Sequence, residues 1–338
     1  MTKKQNFLNG KTVLVTGGTG SFGKTFIRTV LERYKVKKLI VFSRDEFKQH
    51  EMNMVFPESK FEIRYFLGDV RDRERLVRAF HGVDYVVHAA ALKQVPALEY
   101  NPMEAVKTNI IGANNIVEAA IDAGVKKVVA LSTDKASNPI NLYGATKLAA
   151  EKIFIAANAY SGGQVCFSIV RYGNVMGSRG SVIPIFLDLK RRGIKELPIT
   201  DERMTRFWIT LDQSVELVLK ALRHGVGGEC FVPQIPSMKI TDLAKAIIPD
   251  CKFRSLGIRP GEKLHESLVS GDEAIKTKIF DDTYVILPQF IHSTTLDKKY
   301  GACVDVPKDF TYRSDMNTQW LSPRQMKDFL CAMTSERH

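Results

Sequence analysis

Lys11-Thr12-Val13-Leu14-Val15-Thr16, followed at once by Gly17-Gly18-Thr19-Gly20-Ser21-Phe22-Gly23, decides the fold. The first six residues read as a buried strand. The apolar spacing of Phe22, Phe26, Ile27, Val30 and Leu31 then reads as one face of a helix. Glycines 17, 20 and 23 satisfy G-x-x-G-x-x-G, and glycines 18, 20 and 23 satisfy G-x-G-x-x-G. Such a turn needs a backbone without Cβ atoms facing a pyrophosphate, a close helix–strand contact, and free N–H groups at the helix start. A strand–turn–helix setting makes this a dinucleotide site rather than a chance match.

Working outward, Leu39–Phe42 is a second strand that ends in Ser43-Arg44-Asp45, about 20 residues past the last glycine, where the ribose is read. A hydroxyl and a guanidinium come first, with Lys48 one helical turn beyond Arg44. That order suits a 2′-phosphate and favours NADP; Asp45 is the residue that speaks for NAD. Phe61–Leu67 is a third strand closed by Gly68-Asp69-Val70. There Asp69 is placed to accept from an adenine amino group and Val70 to pack the ring, unless Asp69 is a plain turn residue. Tyr85-Val86-Val87-His88 is a fourth strand, running into Ala89-Ala90-Ala91, where small residues let a cofactor pass. His88 reads as a core histidine, and Lys93 as a cation facing the same crevice. Glu104–Ala123 reads as one long helix containing Asn109 and Asn115, and Val125–Leu131 as a fifth strand. Strands alternating with helical segments specify an α/β Rossmann fold, a doubly wound parallel sheet. Ligands on such sheets bind beyond the C-terminal strand ends, where these residues fall.

The chemistry concentrates in Thr133-Asp134-Lys135 and Tyr143-Gly144-Ala145-Thr146-Lys147. Tyr143 and Lys147 lie four apart, on one helix face. An ammonium beside a phenol lowers its pKa, so Tyr143 can take a proton from a sugar hydroxyl while the carbinol hydride leaves. The resulting ketone acidifies the adjacent C–H. Lys135, with its pKa lowered by neighbours, would remove that proton, and Asp134, held protonated, would assist loss of a hydroxyl one carbon further on. An ordinary capped turn with an Asp–Lys pair is the bland alternative.

The chain of 338 residues carries a net charge of +12, with 44% hydrophobic and 25% charged residues. The basic residues are spread along it, which argues against a nucleic-acid surface. No apolar run reaches the roughly 18 residues of a membrane span, and Met1–Asn6 has no apolar signal core, so a cytoplasmic protein is expected. Five scattered cysteines, without a C-x-x-C pair, indicate neither disulfides nor a metal site. In the second half, Gln164–Arg171 reads as a sixth strand, and the small and polar residues of 172–180 suggest backbone approaching a ligand. Arg206 and Trp208 fit either a nucleotide contact or a structural cation–aromatic pair. Arg259, next to Pro260, is a candidate diphosphate partner or a plain surface residue.

The runs TGGTGSFGK, FSRDEFKQ, LSTDKASNPINLYGATK, VRYGNVMGSRGSV, PITDERMTRFWI and IRPGEKLHE resemble the extended short-chain dehydrogenase/reductases. More narrowly, they resemble the inverting UDP-N-acetylglucosamine 4,6-dehydratases of pseudaminic acid biosynthesis, over most of the chain to about residue 270. Those enzymes read Thr-Asp-Lys where retaining hexose dehydratases read Thr-Asp-Glu, so Lys135 is the residue that selects inversion at C5. The resemblance implies a catalytic set in which Tyr143 and Lys147 serve C4 oxidation, Asp134 is the acid at the C6 hydroxyl, Lys135 is the base at C5, and Thr133 bonds the C4 oxygen. It implies an NADP site at Gly17, Thr19, Gly20, Ser21, Phe22, Gly23, Ser43, Arg44, Asp45, Glu46, Lys48, Asp69, Val70, Ala89, Ala91, Tyr143 and Lys147. It implies substrate contacts at Lys93, Thr133, Asn174, Val175, Met176, Gly177, Ser178, Arg179, Thr200, Arg259 and Asn317. A homo-oligomer, specifically a hexamer, is implied as well. The expected organisation is a Rossmann unit over 1–175 and a smaller, interleaved α/β substrate-binding region over 176–338. A UDP-sugar epimerase, a retaining dehydratase and an NADP-sensing regulator are the competing readings.

Overall fold

The computed structural model describes residues 6–178, 181–289 and 294–335. Six parallel strands form as the sequence suggests: β1 (Thr12–Thr16), β2 (Lys38–Ser43), β3 (Ile63–Leu67), β4 (Tyr85–His88), β5 (Lys127–Thr133) and β6 (Cys166–Tyr172). They lie in the spatial order β3-β2-β1-β4-β5-β6. Residues 13–15 of β1 are fully buried, as a strand covered on both faces must be. The order reverses between β1 and β4, and right-handed crossovers then place the helices on both faces. Helix Ser21–Arg33 packs on Leu211–His224, while Arg73–Phe80, Gly112–Asp122 and Leu142–Tyr160 pack together.

The sheet does not end at β6. Strand Cys230–Pro233 adds in parallel, and Thr283–Ile286, Thr277–Phe280 and Val304–Asp305 follow in antiparallel register. Late segments of the chain thus complete the first core, which runs from Leu8 to Tyr312. A second core gathers Met176, Phe186, Leu197, Trp208, Met238, Leu243 and Met326 beneath a three-stranded and a two-stranded sheet.

The long helix expected over 104–123 is broken. Pro102–Ala105 is followed by a π-helical turn, Val106–Ile111, before Gly112–Asp122 resumes. Pro102 sets the start, and Asn109, within the wide turn, spends its side chain on other elements. Its Nδ2 donates to Leu92 O (2.9 Å) and Thr146 Oγ1 (3.1 Å), and its Oδ1 accepts from Leu92 N (2.9 Å). Wide turns of this kind recur beside functional sites. Here it ties the strand-end loop after β4 to the helix carrying Tyr143.

His88 is a core histidine, as expected. It is 2% exposed, its Nδ1 is 2.8 Å from Thr16 Oγ1, and burial lowers its pKa to about 3. The unfolded chain binds a proton there below about pH 6.5, whereas the folded chain does not, so stability falls as pH drops through that window. Between about pH 7 and pH 5 this one group should cost about 2 kcal/mol. Denaturant unfolding of the wild type should lose that much more than His88→Asn over the same interval; equal losses would show the ring already protonated in the fold.

Candidate active site

One cleft of about 660 Å³ runs across the C-terminal strand ends, a size suited to a small-molecule site. At its β1 end, Gly17 has φ +65°, and a Cβ there would sit 2.9 Å from the Ala90 backbone. A Cβ on Gly23 would come within 2.3 Å of Gly18 O, so this glycine lets helix Ser21–Arg33 pack directly on the turn. Gly20 is the N-cap, and no side chain caps it. Helix N–H groups thus face a turn whose glycines at 17, 20 and 23 leave the backbone open, which fits a dinucleotide pyrophosphate.

At the ribose position, Ser43 is buried, and its hydroxyl accepts from Gln49 Nε2 (3.0 Å). Asp45 caps helix Glu46–Val55 by accepting from Lys48 N (3.0 Å), and its carboxylate also pairs with the Lys48 ammonium. Arg44 reaches over the cleft with its side chain 56% exposed and a guanidinium nitrogen 3.8 Å from Asp69. Asp69 is held mainly by Arg71, through the backbone N (3.0 Å) and the guanidinium (2.7 Å). Val70, Ala89, Ala91 and Lys93 line the same cleft.

The catalytic turn lies where β5 ends. Thr133 leads into a 3-10 turn, Asp134–Ala136, and its Oγ1 donates to Asp134 Oδ1 (2.8 Å). Lys135 Nζ donates to the same oxygen (3.0 Å) and sits 3.3 Å from Glu266 Oε1. Tyr143 and Lys147 come from helix Leu142–Tyr160, whose N-cap Asn141 accepts from Gly144 N (2.8 Å). Lys147 Nζ donates to Leu131 O (2.7 Å), which anchors it on β5. Thr133, Asp134, Lys135, Tyr143 and Lys147 all line the one cleft.

The electrostatics depart from expectation at two groups. Burial raises the Tyr143 pKa; what pulls it down is Lys135 and the Thr133 hydroxyl, rather than Lys147. The Lys135 pKa is raised, not lowered: burial works against the ammonium, but Asp134 and Glu266 together outweigh it. The Asp134 pKa shifts in the expected direction. Burial, with Glu266 adding to it, raises its pKa, and its Oδ2 is buried without a partner. Burial lowers Lys147 to about 8, against the opposing pull of Glu151.

The family of proteins described as "Polysaccharide biosynthesis protein" matches residues 13–288. The chain belongs to this family. It is 53% identical, over 95% of its own length and 98% of the relative's, to a Campylobacter jejuni protein (subsp. jejuni serotype O:23/36, strain 81-176) named UDP-N-acetylglucosamine 4,6-dehydratase (inverting). It is 48% identical, over 82% of both chains, to a UDP-glucose 4-epimerase of Rickettsia massiliae. Among solved structures, the dTDP-glucose 4,6-dehydratase DesIV of Streptomyces venezuelae, with NAD bound, superposes with a TM-score of 0.68. That pair shares 25% identity over 75% of this chain and 86% of the other.

In this member of the family the other site residues expected from sequence divide. Asn174, Val175 and Ser178 line the cleft. Among the described residues Glu46, Met176, Gly177, Thr200, Arg259 and Asn317 do not, and Arg179 lies outside the described residues. Met176 is buried in the second core, and Gly177 forms a turn with φ +68°. Asn317 ties the C-terminal segment down by donating to Ile235 O (2.8 Å) and Ser237 Oγ (3.0 Å). Arg206 is not stacked on Trp208 among the described ring contacts. Its guanidinium donates to Thr205 O (2.8 Å) and Lys263 O (3.0 Å) and faces Glu262 and Glu266.

Sequence reasoning missed two residues. Glu266, 2% exposed, arrives from the far end of the IRPGEKLHE run. That loop is clasped onto the catalytic turn: Asn141 Nδ2 donates to Gly261 O (2.7 Å), and Lys263 Nζ to Ser137 O (2.6 Å). A glutamate in a charged loop more than 130 positions from Lys135 gives no local signal. Gly144 is the other, and its signal was its place beside Tyr143. A Cβ there would lie 2.1 Å from Lys135 O, so only glycine lets the Tyr143 helix seat against the turn. Gly144→Ala should therefore shift Tyr143 relative to Lys135 and lower turnover by about 100-fold, with helical circular dichroism retained. Turnover within about twofold of wild type would show that the turn yields without consequence.

Proposed function

We propose that this protein is a UDP-N-acetylglucosamine 4,6-dehydratase that inverts C5, yielding UDP-2-acetamido-2,6-dideoxy-β-L-arabino-hex-4-ulose, the first step of pseudaminic acid-type nucleotide sugar synthesis. The observation that carries this reading is Lys135 Nζ, 3.0 Å from Asp134 and in one cleft with Tyr143 and Lys147. A carbon base and an oxygen acid are thus paired beside a redox dyad, which a plain dehydrogenase has no use for. The likeness to the Campylobacter jejuni dehydratase supports it.

A nicotinamide dinucleotide in the cleft would supply the redox chemistry, accepting a hydride from C4 and returning one to C6. Gly17, Thr19, Gly20, Ser21, Phe22 and Gly23 would hold its pyrophosphate, and Asp69, Val70, Ala89 and Ala91 would flank it. NADP is our choice, because Arg44 is exposed over the cleft and the Asp45 carboxylate is already taken by Lys48. Tyr143 accepts the C4 hydroxyl proton, with Thr133 bonding the oxygen and Lys135 supporting the phenolate, while Lys147 serves the same oxidation as the family resemblance implies. The Lys135 ammonium first passes a proton to Asp134, 3.0 Å away, and the free amine then takes the C5 proton that the C4 ketone has acidified. Asp134 gives its proton to the C6 hydroxyl, which departs as water. C5 then regains a proton, drawn from solvent, on the opposite face. Lys93, Asn174, Val175 and Ser178 are the proposed sugar-nucleotide contacts within the cleft. Arg179, Thr200, Arg259, Met176, Gly177 and Asn317 remain proposals of the family resemblance. We place the protein in the cytoplasm as a homo-oligomer, with a hexamer implied by that resemblance; no helix among the described residues is long and apolar enough to cross a membrane.

Incubation with UDP-N-acetylglucosamine should give a nucleotide sugar lighter by one water in mass spectrometry, and denaturation should release NADP. A product isomeric with the substrate would instead support the epimerase reading, which the Rickettsia massiliae relative favours. Release of NAD alone would overturn the cofactor choice.

A further inference from the structure

Glu266 is a buried charge in contact with the catalytic turn that the reaction scheme leaves without a task. Its Oε1 lies 3.3 Å from Lys135 Nζ, on the ammonium that also donates to Asp134 Oδ1. Three cations face it: Lys135, Arg206 (Nε at 3.9 Å from Oε1) and Lys263 (Nζ at 3.9 Å from Oε2). Glu266 Oε2 nonetheless has no hydrogen-bond partner, and neither does Asp134 Oδ2; both atoms are buried. Two carboxylates therefore share one ammonium, each with an oxygen unsatisfied.

We propose that Glu266 is a positioning residue of the dehydration step: once the ammonium proton of Lys135 has moved to Asp134 for the leaving hydroxyl, Glu266 is the counter-ion of the ammonium that Lys135 regains by taking the C5 proton. This rests on the dehydratase reading above. The charges around the pair agree with it. Asp134 faces Lys135, Glu266, Tyr143, the Thr133 hydroxyl and, more weakly, Lys263, and burial with Glu266 raises its pKa; Glu266 faces Lys135, Arg206 and Lys263, which lower its pKa against burial. Of two carboxylates on one ammonium, the one beside three cations is the easier to ionise and the other the easier to protonate. Without Glu266, Lys135 would have only Asp134 to pair with, and the acid would be lost to that ion pair. Tyr143 is influenced by Lys135 and Asp134 and only through them by Glu266, so C4 oxidation should be spared.

The test is Glu266→Gln, with Glu266→Asp as the conservative partner. C4 oxidation is read as reduced-cofactor absorbance in a single turnover, dehydration as product, and sugar affinity by calorimetry. The expected result for Glu266→Gln is dehydration slowed by about tenfold or more at neutral pH, with oxidation within about threefold of wild type. The fall of the dehydration rate on the alkaline side should move to lower pH by about one unit, since Asp134 would ionise earlier. Affinity for UDP-N-acetylglucosamine should be unchanged, and Glu266→Asp should recover part of the rate. An unmoved pH profile, or equal loss of oxidation and dehydration together with a lowered melting temperature, would overturn the proposal. Failure of the wild type itself to form the dehydrated sugar would sink the reading beneath it, a separate and recognisable outcome.

Discussion

Lys135→Met should split the reaction in two. The variant should still take a hydride from UDP-N-acetylglucosamine in a single turnover, because Tyr143 and Lys147 are untouched, yet form dehydrated product about 10²–10⁴-fold more slowly. The neutral methionine keeps most of the chain length and removes the amine that reaches the Asp134 carboxylate at 3.0 Å. Exchange of the C5 proton with deuterated solvent should cease at the same time. The substitution also leaves Asp134 and Glu266 buried without their shared ammonium, so a lower melting temperature is expected. Single-turnover measurements well below that temperature separate the two effects. Steady-state turnover within about tenfold of wild type would refute the assignment of Lys135 as the C5 base.

Tyr143→Phe should behave differently. The ring is kept and the proton acceptor for the C4 hydroxyl is lost, so oxidation itself should slow by about 10²–10⁴-fold. Reduced cofactor and product should then fall together, since nothing downstream can start. The contrast carries the argument: one variant blocks before the ketone, the other after it. Identical behaviour of the two variants would dissolve the division between the redox dyad and the dehydration pair. Burial raises the phenol pKa in the protein alone, with Lys135 and Thr133 opposing it, so Tyr143 should be protonated before substrate and cofactor bind.

Much of this was legible from the chain. Local patterns are physical statements about local structure, and the six strands, the glycine turn and the helix bearing Tyr143 and Lys147 all follow from them. The spatial order β3-β2-β1-β4-β5-β6 follows from right-handed crossovers. The fate of the second half was less legible. That Cys230–Pro233 extends the parallel sheet, and that Thr283–Ile286 adds to it, depends on pairings across 50 or more positions, after which Thr277–Phe280 joins as the near partner of Thr283–Ile286. The π-turn over Val106–Ile111 was invisible because Asn109 bonds to Leu92 and Thr146, neither of them near it in sequence. The Lys135 pKa went the opposite way for the same reason. Its local partner Asp134 was readable, but Glu266 comes from the loop folded over the turn. Residue types announced the chemistry; long-range burial set the charges.

The most direct test of the account is the configuration at C5. Purified protein with UDP-N-acetylglucosamine in deuterated water should give, by NMR, a 4-keto-6-deoxy sugar carrying deuterium at C5 in the L-arabino configuration. A 4-keto-6-deoxy product that keeps the D configuration at C5, or a sugar that has lost no water, would contradict it.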